Sequence, residues 1–351
     1  MENKKQTRDR SAAGMTRRRF VSTLGAAAGV AGMSWLAQRT PPAFAQGKTF
    51  AARFGTWAPT THPNAIADKF FTDEANKRSG GGLKIDLFTD NQLGAPRDML
   101  EGIQLGTIQI IEIATAFMAA YIPETIAFDL PYVFSSSDKL LKFLDTPAGS
   151  EGLAVERFAK IKIRGLGWFD GGGRELFNSR RPVVTPSDLK GMKIRVEENP
   201  VRVASLNAMG SQSTPMAFSE VYGAIQQKVV DGAENNAQVY LASKFYEVAP
   251  YLSMTDHFVS VNTILIGQSF FNGLPKELQN LVIQVGKEAS AYQRKFFAES
   301  GTKTLNDLKA LGAKINDADK GAFRKTVEGV QREYAAKIPK DWWDMVSKAA
   351  S

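Results

Sequence analysis

Two arginines sit where their forked donors could serve an acid. Arg174 follows a glycine-rich run in Phe169-Asp170-Gly171-Gly172-Gly173-Arg174-Glu175-Leu176, and Arg195 lies near the end of the apolar strand pattern Met192-Lys193-Ile194-Arg195-Val196. A guanidinium at a strand end beside a cleft offers one carboxylate two parallel, charge-assisted hydrogen bonds. In open α/β sheets the ligand lies at the carboxyl ends of the strands. Arg195 would point there, and so would Asn235 in Val230-Asp231-Gly232-Ala233-Glu234-Asn235-Asn236. The same residues would also suit surface ion pairs, the ordinary setting of arginine. Spacing alone leaves both readings open.

Other chemistry has little to stand on. The 351 residues include no Cys, which excludes thiolate nucleophiles, disulfides and Cys-based metal sites. Only His62 and His257 are present, too few for a zinc site with several His ligands. A Ser-His-Asp triad would need one of these two. His62 falls in a turn or helix cap before Pro63, and His257 follows Asp256; either could line the cleft, but both read better as ordinary polar positions. Trp168, Phe169 and Phe177, close to Arg174 in sequence, read as core. Gly171–Gly173 lacks the Lys-Ser/Thr of a phosphate loop and the G-x-G-x-x-G of a dinucleotide fold. No nucleophile–base pair is recognisable, so no catalytic residue, cofactor or metal is expected.

The elements that must position these side chains follow an α/β grammar. Strands are predicted over Thr49–Thr56, Leu83–Phe88 and Ile108–Ile113, with helices over Pro63–Arg78 and Pro96–Leu105. Gly171–Gly173 marks a crossing between lobes, after which the grammar returns. Met192–Val196 and Val259–Gly267 read as strands, Pro200–Met209 and Glu220–Gln227 as helices. A long helical pattern runs from about Pro275 to Leu311, with Gly301 the place where it would break. Lys320–Ala336 and Lys340–Ala350 close the chain as amphipathic helices, Trp342 and Trp343 serving as apolar pegs. The expected architecture is a two-lobed α/β fold with a hinge, a ligand cleft and one helix spanning both lobes. Residues 46–171 with about 260–300 would form the first lobe, and 172–259 with about 301–351 the second.

Charge points away from nucleic acid. The formal net charge is +8, from 44 basic and 36 acidic residues. Eight of the basic residues and two acidic ones lie in 1–45, so the remainder is close to neutral. That stretch has a basic start, a weakly apolar run from Phe20 to Leu36 and the small-x-small ending Ala43-Phe44-Ala45, the form of an export signal. Its Arg17-Arg18-Arg19-Phe20 and mild hydrophobicity resemble a twin-arginine (Tat) signal. Cleavage is expected near Ala45, leaving a periplasmic chain with no later segment apolar enough to span a bilayer.

Beyond single residues, the chain resembles the substrate-binding proteins of TRAP transporters, the DctP type. The resemblance rests on Leu189-Lys190-Gly191-Met192-Lys193-Ile194-Arg195-Val196, Thr214-Pro215-Met216-Ala217-Phe218-Ser219-Glu220-Val221-Tyr222 and Asp231-Gly232-Ala233-Glu234-Asn235. It extends through Asn91-Gln92-Leu93-Gly94, Phe128-Asp129-Leu130-Pro131-Tyr132, Asn178-Ser179-Arg180-Arg181-Pro182, Lys244-Phe245-Tyr246-Glu247-Val248 and Leu274-Pro275. The resemblance implies two lobes closing over a small organic acid, delivered to small and large membrane subunits. It assigns the carboxylate-binding arginine to Arg195 and a second ligand-facing arginine to Arg174. Asn235 matches the family's asparagine, Phe218 its cleft aromatic, and Trp57 a position that often touches ligand. Some sialic-acid binders carry Glu in the loop after the third strand, where this chain has Ala114-Thr115; dicarboxylates, monocarboxylates and sugar acids stay open instead. A periplasmic enzyme acting on acids and a sensor docking on a receptor are the rival readings. Nothing in the sequence separates monomer from dimer.

Overall fold

The computed structural model describes residues 48–351; the expected leader, 1–45, lies outside them. Nine strands among the described residues form one mixed sheet. In chain order they are β1 (Phe50–Thr56), β2 (Leu83–Phe88), β3 (Ile110–Ala114), β4 (Ile163–Asn178), β5 (Lys193–Val196), β6 (Gln212–Pro215), β7 (Gly232–Asn235), β8 (Tyr251–Gly267) and β9 (Lys314–Asp317). The sheet order is β2-β1-β3-β8-β4-β7-β5-β6, with β9 alongside β8.

Two long antiparallel strands, β4 and β8, join the halves of this sheet. Their far ends serve different neighbours: β8 pairs with β3 through Asn262–Ile266, whereas β4 pairs with β7 through Glu175–Asn178. The register between β4 and β8 shifts at Gly165/Gly167, Asp170/Gly173 and Arg174/Leu176. Irregularities of this kind bend a strand and re-aim its side chains. Gly172 sits within one of them at φ 67°, a conformation glycine adopts at no steric cost. Two α/β lobes therefore share their connecting strands, and the bends fall beside Arg174.

The cores follow the same division. Phe54, Ile85, Ile110, Phe169 and Ile264 form a buried cluster with helix residues Leu278, Val282 and Val285. Phe177, Ala233, Tyr240, Phe245 and Leu252 form another with Leu308. Those helix residues belong to one uninterrupted helix, Lys276–Ala310, which thus packs on both cores. Gly301 does not break it: an interior glycine costs only about 1 kcal/mol, and Phe297, Thr304 and Leu308 are buried around it. The helix lies close on the sheet because Gly286 carries no side chain; a Cβ there would meet Leu166 O at 2.6 Å.

Two sequence readings need amendment. The strand predicted over Val259–Gly267 is 17 residues long and begins at Tyr251. Its first half is interrupted by polar residues such as Asp256 and His257, which obscure the strand pattern. The last helix, Lys340–Ala350, packs on the first half of the chain, although the sequence reading groups 301–351 with 172–259. Trp342 lies edge-on to Phe128 and Phe143, at 6.4 and 5.3 Å between ring centres, and its indole N–H donates to Glu124 O at 3.0 Å. Trp342 is fully buried and Trp343 only partly so.

Candidate functional site

Strand ends, strand bends and one helix start converge on a cavity. Its lining includes Trp57 after β1, His62 and Asn64 at the start of helix Pro63–Arg78, Gly171 and Arg174 from β4, Glu197 after β5, Asn235 and Asn236 at the end of β7, and Ser260 and Asn262 from β8. Phe218, in a short 3-10 turn (Phe218–Glu220), closes one side. This mixture of aromatic walls with a few placed polar groups suits a small polar molecule.

Four of the five sequence-proposed residues line this cavity: Trp57, Arg174, Phe218 and Asn235. Arg195 does not. It lies beside the wall, 1% exposed, with its guanidinium 6.0 Å from the Phe218 ring centre. Its Nε and Nη2 donate to Met216 O at 2.9 and 2.6 Å. Trp57 packs edge-on to Phe218 at 5.2 Å and tilted against His62 at 5.1 Å, so three rings make a continuous wall.

Behind the polar wall lies a buried ionic cluster. Arg174 donates through Nε and Nη2 to the carboxylate of Glu234, at 2.5 and 2.8 Å, and its Nη2 lies 3.1 Å from Glu197. Arg202 forks onto Asp129 at 3.1 and 2.9 Å, and its Nη1 lies 3.1 Å from Glu197. Burial pushes the Glu234 carboxyl up, but Arg174, His257 and Arg202 outweigh it and hold the group well below the usual range. Burial likewise opposes charge on Arg202, and Glu197, Asp129 and Glu234 reverse that and raise it. His257 is kept neutral by burial; its Nδ1 is 2.8 Å from Thr255 Oγ1, and its Nε2 is 3.7 Å from Glu234.

Arg195 differs from these two arginines. Among the described residues no carboxylate oxygen lies within 4 Å of it, and burial lowers its pKa to about 10 against the pull of Glu197 and Glu234. Neither Arg174 Nη1 nor Arg195 Nη1 hydrogen-bonds to another described residue.

Another part of the lining rests on a buried polar network around Glu112. Asn64 Nδ2 and Asn262 Nδ2 both donate to Glu112 Oε1, at 2.9 and 2.7 Å, and Thr56 Oγ1 donates to Glu112 Oε2 at 2.9 Å. Gln293 from the long helix donates to Asn64 Oδ1 at 2.8 Å. Burial raises Glu112 to about 7 despite these hydrogen bonds; burial and the Glu112 charge raise Asp68 well above its ordinary value. Trp57 Nε1 is buried without a well-aligned partner, although its N–H dipole favours the charged form of Glu112.

Sequence reasoning missed Asn64, Glu197, Ser260 and Asn262 as lining residues, and it favoured an ordinary polar position for His62 over a place in the cleft. Ser260 and Asn262 carried a usable signal: polar residues two apart in an apolar strand share one face. His62 was placed as a cap, and it is one, with Nδ1 accepting from Asn64 N–H at 3.1 Å; the cavity wall was not legible from that role.

The DctP family, described as bacterial extracellular solute-binding proteins of family 7, matches residues 54–337. The chain belongs to that family. A solute-binding protein of Verminephrobacter eiseniae is 34% identical over 293 residues, 83% of this chain and 87% of that one. The 2,3-diketo-L-gulonate-binding periplasmic protein of Escherichia coli is 34% identical over 286 residues, 81% and 87% of the two chains. Among solved structures, a TRAP periplasmic solute-binding protein of Sulfitobacter sp. NAS-14.1 with bound β-D-galacturonate superposes with a TM-score of 0.81 at 31% identity, covering 86% of this chain and 99% of that one. The sugar-acid-binding protein of Advenella mimigardefordensis in complex with galactonate gives 0.83 at 29% identity, covering 86% and 98%. This solute-binding protein thus has the two-lobed fold of the TRAP type. No helix among its described residues is long and apolar enough to cross a membrane.

Proposed function

We propose that this protein captures a monocarboxylic sugar acid, a uronate or an aldonate, and delivers it to TRAP membrane subunits. One observation carries the choice: Arg195 is the single guanidinium of the buried cluster without a carboxylate within 4 Å among the described residues. Arg174, Arg195 and Arg202 face Glu197, Glu234 and Asp129, so the cluster sums to zero with both histidines neutral. One incoming carboxylate finds Arg195 Nη1 and Arg174 Nη1. A second would enter a site already net negative with no cation left for it, and an unpaired buried charge costs several kcal/mol. The rest of the lining, Asn64, Asn235, Asn236, Ser260 and Asn262, is uncharged and suits hydroxyls.

The binding step follows from these parts. The acid's carboxylate replaces water on the two free Nη1 groups, Asn235 adds a further polar contact, and Trp57 and Phe218 cover the apolar face of the ligand. Contacts made only with the lobes together shift a hinge equilibrium toward closure. Residues 46–171 with about 260–300, joined by the last helix, would move against 172–259 with most of 301–351. The chain binds and releases its acid unchanged. Export through the twin-arginine route with cleavage near Ala45 completes the proposal; amino-terminal sequencing of the periplasmic protein checks it.

The functional test is titration calorimetry of the ligand-free protein with D-galacturonate, D-glucuronate, D-galactonate, succinate and malate. Micromolar or tighter binding of at least one sugar acid, at least tenfold tighter than either dicarboxylate, is expected. Preference for a C4-dicarboxylate would overturn the charge argument.

A further inference from the structure

The carboxylate contact leaves part of the cavity lining unexplained. His62 caps helix Pro63–Arg78, its Nδ1 accepting from Asn64 N–H at 3.1 Å. A ring nitrogen that accepts carries no proton, so the neutral ring bears its proton on Nε2. The ring is 1% exposed, and burial pushes its pKa down to about 3. Nε2 has no partner among the described residues, yet His62 lines the cavity. A buried N–H left unpaired costs about 1–3 kcal/mol, so an occupant with an acceptor relieves it.

Asn262 supplies the complement. Its Nδ2 donates to Glu112 Oε1 at 2.7 Å, which fixes the orientation of the amide. Its Oδ1 accepts from no described side chain, and the residue lines the same cavity. A hydroxyl both accepts and donates; a carboxylate only accepts, and an apolar carbon does neither.

We propose that His62 Nε2–H and Asn262 Oδ1 form a hydroxyl-reading subsite that sets which acids this protein accepts. The inference rests on the sugar-acid reading above. A ligand hydroxyl accepts from His62 and donates to Asn262. A carboxylate in its place would satisfy His62 but set its oxygens against Asn262 Oδ1, with the Glu112 carboxyl behind. A methylene would leave both groups unpaired. His62 is a binding residue here, and Glu112 a positioning residue acting through Asn262.

The test is His62→Asn, which keeps a capping acceptor for Asn64 N–H and removes the Nε2 donor. Calorimetry with D-galacturonate, D-glucuronate and D-galactonate should show 10- to 100-fold weaker binding of the acid that wild type holds best, with the melting temperature of the ligand-free variant unchanged. Binding within twofold of wild type overturns the subsite alone. If wild type binds none of the three acids, the sugar-acid reading fails and the subsite with it. Nitrogen-15 spectra of wild type give a readout that needs no variant, since the chain has only two histidines. His62 should show an unprotonated Nδ1 and a protonated Nε2 from pH 5 to 8, and the Nε2–H signal should move on adding the bound acid. A charged ring, the opposite tautomer, or an Nε2–H signal indifferent to the acid overturns the proposal.

Discussion

Replacing Arg195 with Met should separate stability from binding. The buried guanidinium has its pKa lowered from 12.5 to about 10, so holding it charged costs on the order of 3 kcal/mol relative to water. Met removes that cost and keeps an apolar chain against Phe218. It also deprives Met216 O of its two donors, a loss of about 1–3 kcal/mol. The two effects nearly cancel, so the ligand-free variant should unfold in urea within about 2 kcal/mol of wild type. Binding has no such compensation. Truncating one partner of a buried charge pair costs about 2–5 kcal/mol, roughly 30- to several-thousand-fold in Kd. Calorimetry with the sugar acid that wild type binds reads the second quantity directly. A Kd within twofold of wild type would refute the assignment of the carboxylate to Arg195. A loss of binding matched by a collapse of stability would refute the claim that this arginine is uncompensated in the empty protein.

Arg202→Met should behave oppositely, destabilising the fold by about 3–5 kcal/mol in urea because Asp129 and Glu197 lose their main buried partner. Glu112→Gln tests a pH window. Burial raises Glu112 from an ordinary 4.5 to about 7, so the folded chain holds that proton more tightly than the unfolded one. The stability it contributes is full below about 4.5 and is lost as pH rises through about 7. The variant should therefore gain in melting temperature over wild type between pH 5 and pH 8, and an equal difference at both would refute the shift. A double-mutant cycle of Trp57→Ala and Phe218→Ala, read as sugar-acid affinity, should show coupling of about 0.5–1.5 kcal/mol from their edge-on contact. Small-angle scattering should give a larger radius of gyration without ligand than with saturating D-galacturonate, because opening lets His62 Nε2 and Trp57 Nε1 reach water; identical curves would count against that.

The elements were legible wherever apolar periodicity and end signals agreed. Pro63–Arg78 and Pro96–Leu105 follow the sequence reading residue for residue, each with Pro at its first position and, for the second, Gly106 left-handed at its end. The long strands β4 and β8 were harder. The glycines of β4 read as turns and a crossing, with no strand predicted there, and β8 reads as a strand only over its apolar second half, Val259–Gly267. What keeps them extended is pairing with each other across Ile163–Asn178, a contact between residues about 70–100 apart in the chain that no local pattern reveals.

The site was legible to the extent that its residues recur in a recognisable order, and less so where chemistry depends on three-dimensional partners. Arg174 and Arg195 look alike in sequence, each a lone arginine in an apolar setting. Only the fold gives one two carboxylates and the other a backbone carbonyl. On the proposed reading that difference separates their roles: Arg174 is held in place by charges that already neutralise it, while Arg195 has no carboxylate within 4 Å among the described residues and is the one offered to the ligand. The same holds for His62, whose capping bond consumes one ring nitrogen and thereby commits the other to donate. A helix cap and a specificity contact are then one property of one ring. A substitution that breaks the cap would also free the tautomer, so only a capping replacement can tell the two apart.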